Sequence, residues 1–186
     1  MKLPCVNCTY QTKIAYLSSL LEVTIIDIEQ DKLNERDKFN KIQLDIEPTV
    51  IAINNTTFVA CMNNRAYFYE LDNLFNNDNN LLNNNDPDII KEKEYSSIIK
   101  QIYMNDQYAA ILFTDNRSIL QRLPHLDDQF DEINKKESKK KEYYQVDTKL
   151  KINCIQLSNN FFIWSTNNGI LELFSIEEWT TGLFLY

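Results

Sequence analysis

Cys5-x-x-Cys8 has the spacing with which two thiolates hold one side of a zinc ion or form a redox pair. A zinc site needs two more ligands at matched spacing, yet the remaining cysteines, Cys61 and Cys154, stand far apart and the one histidine is His125. The pair therefore reads as two ordinary reduced thiols near a frayed terminus, and four cysteines so scattered fit a reducing compartment better than a disulfide scaffold. His125, followed by Asp127 and Asp128, has the parts of an oriented imidazole, as general acid–base or nucleophilic catalysis uses. No serine or cysteine motif marks a nucleophile for it, and its place after Pro124 suggests an exposed loop. The carboxylate pairs Asp127–Asp128 and Glu177–Glu178 are neighbours in sequence with no sign of converging on a cleft, so both read as surface solvation. The chain has two glycines, Gly169 and Gly182, which excludes a glycine-rich phosphate cradle. The expectation is a protein with no catalytic residue, no cofactor and no metal site; the sequence does not single out partner-binding residues. A hydrolase built on His125, Asp127 and Asp128 is the one enzymatic reading, and the sequence speaks against it.

The elements that carry these residues repeat. "MNNRA" begins at Met62, "TDNRS" at Thr114 and "TNNGI" at Thr166, an even interval of 52 residues. Each corner follows one apolar strand ("TFVAC", "YAAILF", "FFIWS") and precedes another ("AYFYEL", "SILQRL", "ILELFSI"). Two-residue hairpin turns need positive φ at one or both central residues, which Asn, Asp and Gly tolerate best, and the flanks are β-branched and aromatic. A third strand lies upstream in each unit, in "PTVIAINN", "IKQIYMND" and "INCIQLSNN". "KIAYLSSLLEVTIIDI" at 13–28 supplies a weaker copy that turns at Ser18 and Ser19, although the leucines of "YLSSLLEV" also fit helical spacing. Fourth strands can be drawn from "NKIQLDI" at 40–46 and "EYYQVDT" at 142–148, giving about three and a half units. Trp164 and Trp179 read as aromatics that pack these sheets.

Between the units the composition changes. Residues 73–94 are asparagine-rich and residues 127–142 are a charge run with five lysines interrupted by glutamates; both read as solvated loop insertions in a single domain spanning 1–186. The formal net charge of −8 argues against nucleic acid and anionic membrane surfaces, which select for clustered positive charge. No apolar run approaches the ~20 residues of a membrane span and the N-terminus lacks the apolar core of a secretory signal, so the expectation is a cytosolic chain without direct membrane insertion.

Short strands, tight turns and a repeat near fifty residues point to an all-β fold: a partial WD40-like β-propeller of about three to four blades, each of four antiparallel strands. A β-sandwich accounts for the strands but not for the even corners. A propeller needs at least ~4 blades to close, so the ring is expected to be incomplete.

At "VACMNNRAYFYEL" and "FFIWSTNNGILELFSIEEW" the sequence resembles the second propeller of the WD repeat-containing protein 19 family, also called intraflagellar transport protein 144. "KIAYLSSLLEVTI", "DIEPTVIAI" and "YAAILF" fall in the same order, so the likeness covers nearly the whole chain apart from the two insertions. Cys61 stands where that family tends to have glycine and Tyr67 where it tends to have tryptophan, and the usual Gly-His and Trp-Asp signatures of propeller repeats are missing. The resemblance implies a non-catalytic scaffold subunit of intraflagellar transport complex A, acting in retrograde ciliary transport, cilium assembly and cargo entry. It implies the other complex A subunits and ciliary cargo as partners, and the cilium, basal body and cytoplasm as location. A propeller subunit of another coat or adaptor complex is the alternative.

Overall fold

Alternating β-branched and aromatic residues between Asn- and Ser-rich corners fold as antiparallel strands throughout the computed structural model, which describes residues 6–28, 40–71, 89–124 and 143–185. Among the described residues sixteen strands form four sheets of four, each a meander in which consecutive strands pair. The first sheet holds β1 (Asn7–Tyr10), β2 (Lys13–Leu17), β3 (Glu22–Asp27) and β4 (Asn40–Gln43). The second holds β5 (Val50–Ile53), β6 (Thr57–Met62), β7 (Arg65–Glu70) and β8 (Ile89–Glu94). The third holds β9 (Ile99–Met104), β10 (Tyr108–Phe113), β11 (Ser118–Arg122) and β12 (Tyr143–Gln145). The fourth holds β13 (Ile152–Leu157), β14 (Phe161–Thr166), β15 (Ile170–Ser175) and β16 (Thr180–Leu185). The chain divides into two compact units, Met1–Ser96 and Ser97–Tyr186, with two sheets each.

The expected corners sit where the 52-residue interval puts them. Met62 pairs with Arg65 across Asn63 and Asn64, and Asn63 takes φ +56°. Asn116 takes φ +73° and Gly169 φ +79° at the two later corners. Asn enters the left-handed region at low cost because its short amide can bond locally, and Gly because it has no Cβ.

Three expectations need correction. The count of three and a half units falls short of the four complete sheets, because β1, β8 and β16 were not recognised as strands. The expected insertion at 73–94 reaches into β8, so residues 89–94 are sheet and not loop; residues 73–88, like the charged insertion at 127–142, lie outside the described residues. Cys8 is not near a frayed end: it pairs opposite Ala15 within β1 and packs against the core of the first unit. The helical spacing of "YLSSLLEV" loses to strand pairing, because Leu17 pairs with Val23 across a turn closed by Ser18 N donating to Glu22 O at 2.9 Å.

Each unit has its own core. In the first, Ala15, Leu17, Val23 and Ile25 pack against Ile51, Ile53, Phe58 and Tyr69. In the second, Tyr108, Ala110, Leu112 and Leu120 pack against Ile155, Phe162, Trp164 and Phe174, with Tyr144 stacked on Phe174 at 4.0 Å between centroids. Each buried Val, Leu, Ile or Phe among them contributes about 1.5–3 kcal/mol by leaving water. Coverage is uneven. All six residues of β10 are buried, as are the first five of β6, so these strands are covered on both faces. β14 alternates buried residues with exposed or half-buried ones, so the fourth sheet is packed more closely on one face than on the other. β8 instead guards its edge with charge: Arg65 pairs with Glu92 at 3.2 Å and Glu94 at 3.3 Å, a pattern that discourages strand addition.

Candidate functional site

Within each unit, the turns between the first and second strands of its sheets carry polar side chains suited to recognition. These turns align through the bond that closes them: Asn54 N donates to Thr57 O at 2.9 Å, Asn105 N to Tyr108 O at 3.0 Å, and Ser158 N to Phe161 O at 2.9 Å. Tyr10 and Lys13 form the matching pair of the first sheet. Asn54 and Asn105 are 0 % and 3 % exposed, so their carboxamides must find partners inside the protein. Asn54 Oδ1 accepts from Thr56 N at 2.9 Å and Thr57 N at 2.6 Å. Asn105 Oδ1 accepts from Gln107 N at 2.9 Å and Tyr108 N at 2.6 Å. Each side chain thereby satisfies two amides that no ladder reaches, as Asx turns do. Asn105 Nδ2 also donates to Ser158 O at 2.9 Å and so ties the third sheet's turn to the fourth's.

In the second unit these turns border a polar cleft of about 460 Å³, lined by Asn105, Asp106, Gln107, Tyr108, Asn159, Asn160, Ile176 and Glu177. Ile176 N donates to Asn160 O at 2.9 Å and holds the "IEEW" stretch at the rim. Trp179 ends that stretch with φ +55°, a conformation unfavourable for a bulky side chain. Its indole lies 5.0 Å from Phe174, edge-on, and 5.8 Å from Tyr108, so ring packing offsets the backbone strain and braces the Tyr108 wall. In the first unit the corresponding position is spanned from within. Lys13, the counterpart of Tyr108, donates from Nζ to both the carbonyl oxygen and Oδ1 of Asn55 at 3.3 Å.

The cleft presents two carboxylates, three exposed carboxamides and a phenol. Its side chains offer hydrogen bonding and charge pairing, and no imidazole or thiol is among the lining residues. Among the described residues no group of three His, Cys, Asp or Glu side chains could hold a metal ion. Cys5, His125, Asp127 and Asp128 lie outside the described residues. Burial pushes the Cys8 thiol up to about 12 and the buried Cys61 thiol up further, so neither is poised as a nucleophile. Cys154 is exposed on the fourth sheet with its sulfur 3.1 Å from Ser165 Oγ. Trp164 is buried in the core of the second unit, as a packing aromatic. Glu177, read from sequence as simple surface charge, sits on the cleft. Its partner groups come from turns about 70 and 20 residues away in sequence, and the one visible signal was the recurrence of a polar break after each first strand.

Four four-stranded antiparallel meanders joined by short turns define a β-propeller of WD40 type. The chain is similar over 99 % of its length to the Cps50 (Swd1) β-propeller domain of Myceliophteria thermophila, with a TM-score of 0.58, 10 % identity and 56 % of that chain covered, which speaks for the fold alone. Residues 14–183 match the family model described as the WDR19 second beta-propeller, and the protein belongs to that family. It is 32 % identical to WD repeat-containing protein 19 of Mus musculus over 180 residues, and 25 % identical to WD repeat-containing protein dyf-2 of Caenorhabditis elegans over 193 residues. It spans 12 % and 13 % of the length of those two relatives, and 96 % of this chain is covered in each case.

Proposed function

We propose that the protein acts as a noncatalytic scaffold subunit of intraflagellar transport complex A, serving retrograde ciliary transport, cilium assembly and the entry of cargo into cilia. The match of residues 14–183 to the second propeller of the WDR19 family carries this reading. The polar cleft of the second unit supports it in kind, because turns braced by Asn105 and Trp179 offer a rigid surface for a protein partner and no reacting group. Its partners are then the other complex A subunits and ciliary cargo, and its location is the cilium, the basal body and the cytoplasm. Among the described residues no helix is long and apolar enough to cross a membrane.

Tagging the endogenous locus, purifying the product gently and identifying its companions by mass spectrometry tests the assignment. Co-purification with the other complex A subunits, together with signal at cilia and basal bodies, is the expected result. Recovery with a different coat or adaptor complex, or loss of the gene without change in ciliary length and cargo content, would overturn it.

A further inference from the structure

The corner that joins β14 to β15 differs from the two earlier corners in the residue that follows its second polar position. Asn64 precedes Arg65 and Asn116 precedes Arg117, whereas Asn168 precedes Gly169, and no other asparagine of the chain is followed by glycine. The two earlier carboxamides are also held in place: Asn64 Nδ2 donates to Tyr95 O at 2.8 Å, and Asn116 Nδ2 donates to Leu150 O at 3.0 Å while its Oδ1 accepts from Ile152 N at 2.6 Å. At the third corner Gly169 N donates to Thr166 O at 3.2 Å, the long end of the N–H···O range, and Gly169 takes φ +79°. Among the described residues no atom beyond its chain neighbours lies within 4 Å of where a Cβ of Gly169 would stand, so that side of the residue is open.

We propose that Asn168 is a site of spontaneous deamidation, a covalent modification that turns this corner into an aspartyl or isoaspartyl one. The Gly169 nitrogen, having lost its proton to a base in solution, attacks Asn168 Cγ. The N–Cγ bond forms, the Cγ–Nδ2 bond breaks, and Nδ2 takes up a proton and leaves as ammonia, closing a cyclic imide. Water then adds to either imide carbonyl, and nothing is oxidised or reduced. Opening at Cγ gives an aspartyl residue; opening at the main-chain carbonyl gives an isoaspartyl residue, whose main chain runs through Cβ and Cγ. Glycine favours the attack because it has no Cβ to crowd the nitrogen and because its backbone turns freely, whereas the Cβ atoms of Arg65 and Arg117 shield theirs. Either product adds a negative charge to a chain of net charge −8, and the isoaspartyl form also lengthens the main chain inside a tight turn, beside the Ser165–Leu171 pair of the ladder. The inference is independent of the complex A assignment, since it rests on the residues of one corner.

The test follows the protein tagged at its own locus and kept for weeks at neutral and at mildly alkaline pH, using peptide mass spectrometry with fragmentation that tells aspartyl from isoaspartyl residues. Conversion at position 168 is expected to run about tenfold faster than at Asn167 beside it, or at Asn64 and Asn116, with both product forms present. It is expected to speed up with pH, because the deprotonated amide is the attacking form. The synthetic peptide of residues 165–171 sets the rate that an unfolded corner allows. Asn168→Gln, whose longer side chain closes the imide far less readily, is expected to stay unconverted. Conversion at 168 no faster than at Asn167 overturns the proposal, by showing no effect of the glycine. A rate more than about a hundredfold below that of the peptide overturns it too, by showing a corner locked by the fold. Product in the aspartyl form alone does the same, because the imide route gives both.

Discussion

The two units solve the same local problem, how to anchor the turn after each first strand, and leave different surfaces behind. In the first, Asn54 caps its own turn and Lys13 reaches across to Asn55, so the position is filled by a side chain of the protein. In the second, Asn105 caps its turn and donates to Ser158 O, while Tyr108 takes the place of Lys13 and leans on Trp179. The Asn anchors sit on different turns, Asn54 on the second sheet of its unit and Asn105 on the first sheet of its own, and Lys13 bridges to Asn55 in one unit where the other has a polar cleft.

Substitutions can break this comparison. The largest effect is expected for Asn105→Ala, which strips two turn amides of their acceptor and Ser158 O of a donor at a buried site; a loss of about 3 kcal/mol should appear in urea unfolding. Asn105→Asp keeps the acceptor but removes the donor, and an intermediate loss from it would separate the turn from the tie between sheets. Asn116→Ala comes next, at about 2 kcal/mol. It removes the acceptor of Ile152 N at 2.6 Å and the donor to Leu150 O at 3.0 Å, and puts alanine at φ +73°. Asn116→Gly should recover only the backbone part. Lys13→Met should lower stability by less than about 1 kcal/mol, since both of its bonds are long and partly solvated.

The smallest expected effect is electrostatic. A hydrogen bond from Arg117 holds the Asp115 carboxyl below the usual carboxylate range. A lowered folded-state pKa gives stability that is present above the unfolded pKa and is lost as pH falls through the lowered value. Because Asp115 and Arg117 are 39 % and 41 % exposed, Asp115→Asn should cost under about 0.5 kcal/mol at neutral pH and nothing in acid, read as converging urea midpoints.

Legibility followed the range of the interactions. The corners at Asn63, Asn116 and Gly169 could be read directly, because positive φ is a local demand that few residues meet. β8 was hidden: "IIKEKE" carries the charges of an exposed edge strand, and its pairing partner β7 ends at Glu70, well before it in the chain. β16 was hidden because Trp179 turns the chain with a residue type that seldom does so. The cleft was least legible, since Asp106, Asn159 and Glu177 are ordinary polar turn residues until the folded unit brings their turns to one place.

By itself the sequence determined the repeat, the strand–corner–strand grammar and the resemblance to a propeller family, because these rest on local backbone preference and the two-residue period of side chains along a strand. Tertiary structure alone decided which Asn would be buried as a turn anchor, which unit would keep an open cleft and which face of the fourth sheet would be the more closely packed. Those outcomes depend on packing between sheets, where hydrogen-bond partners and covering side chains come from residues far apart in the chain.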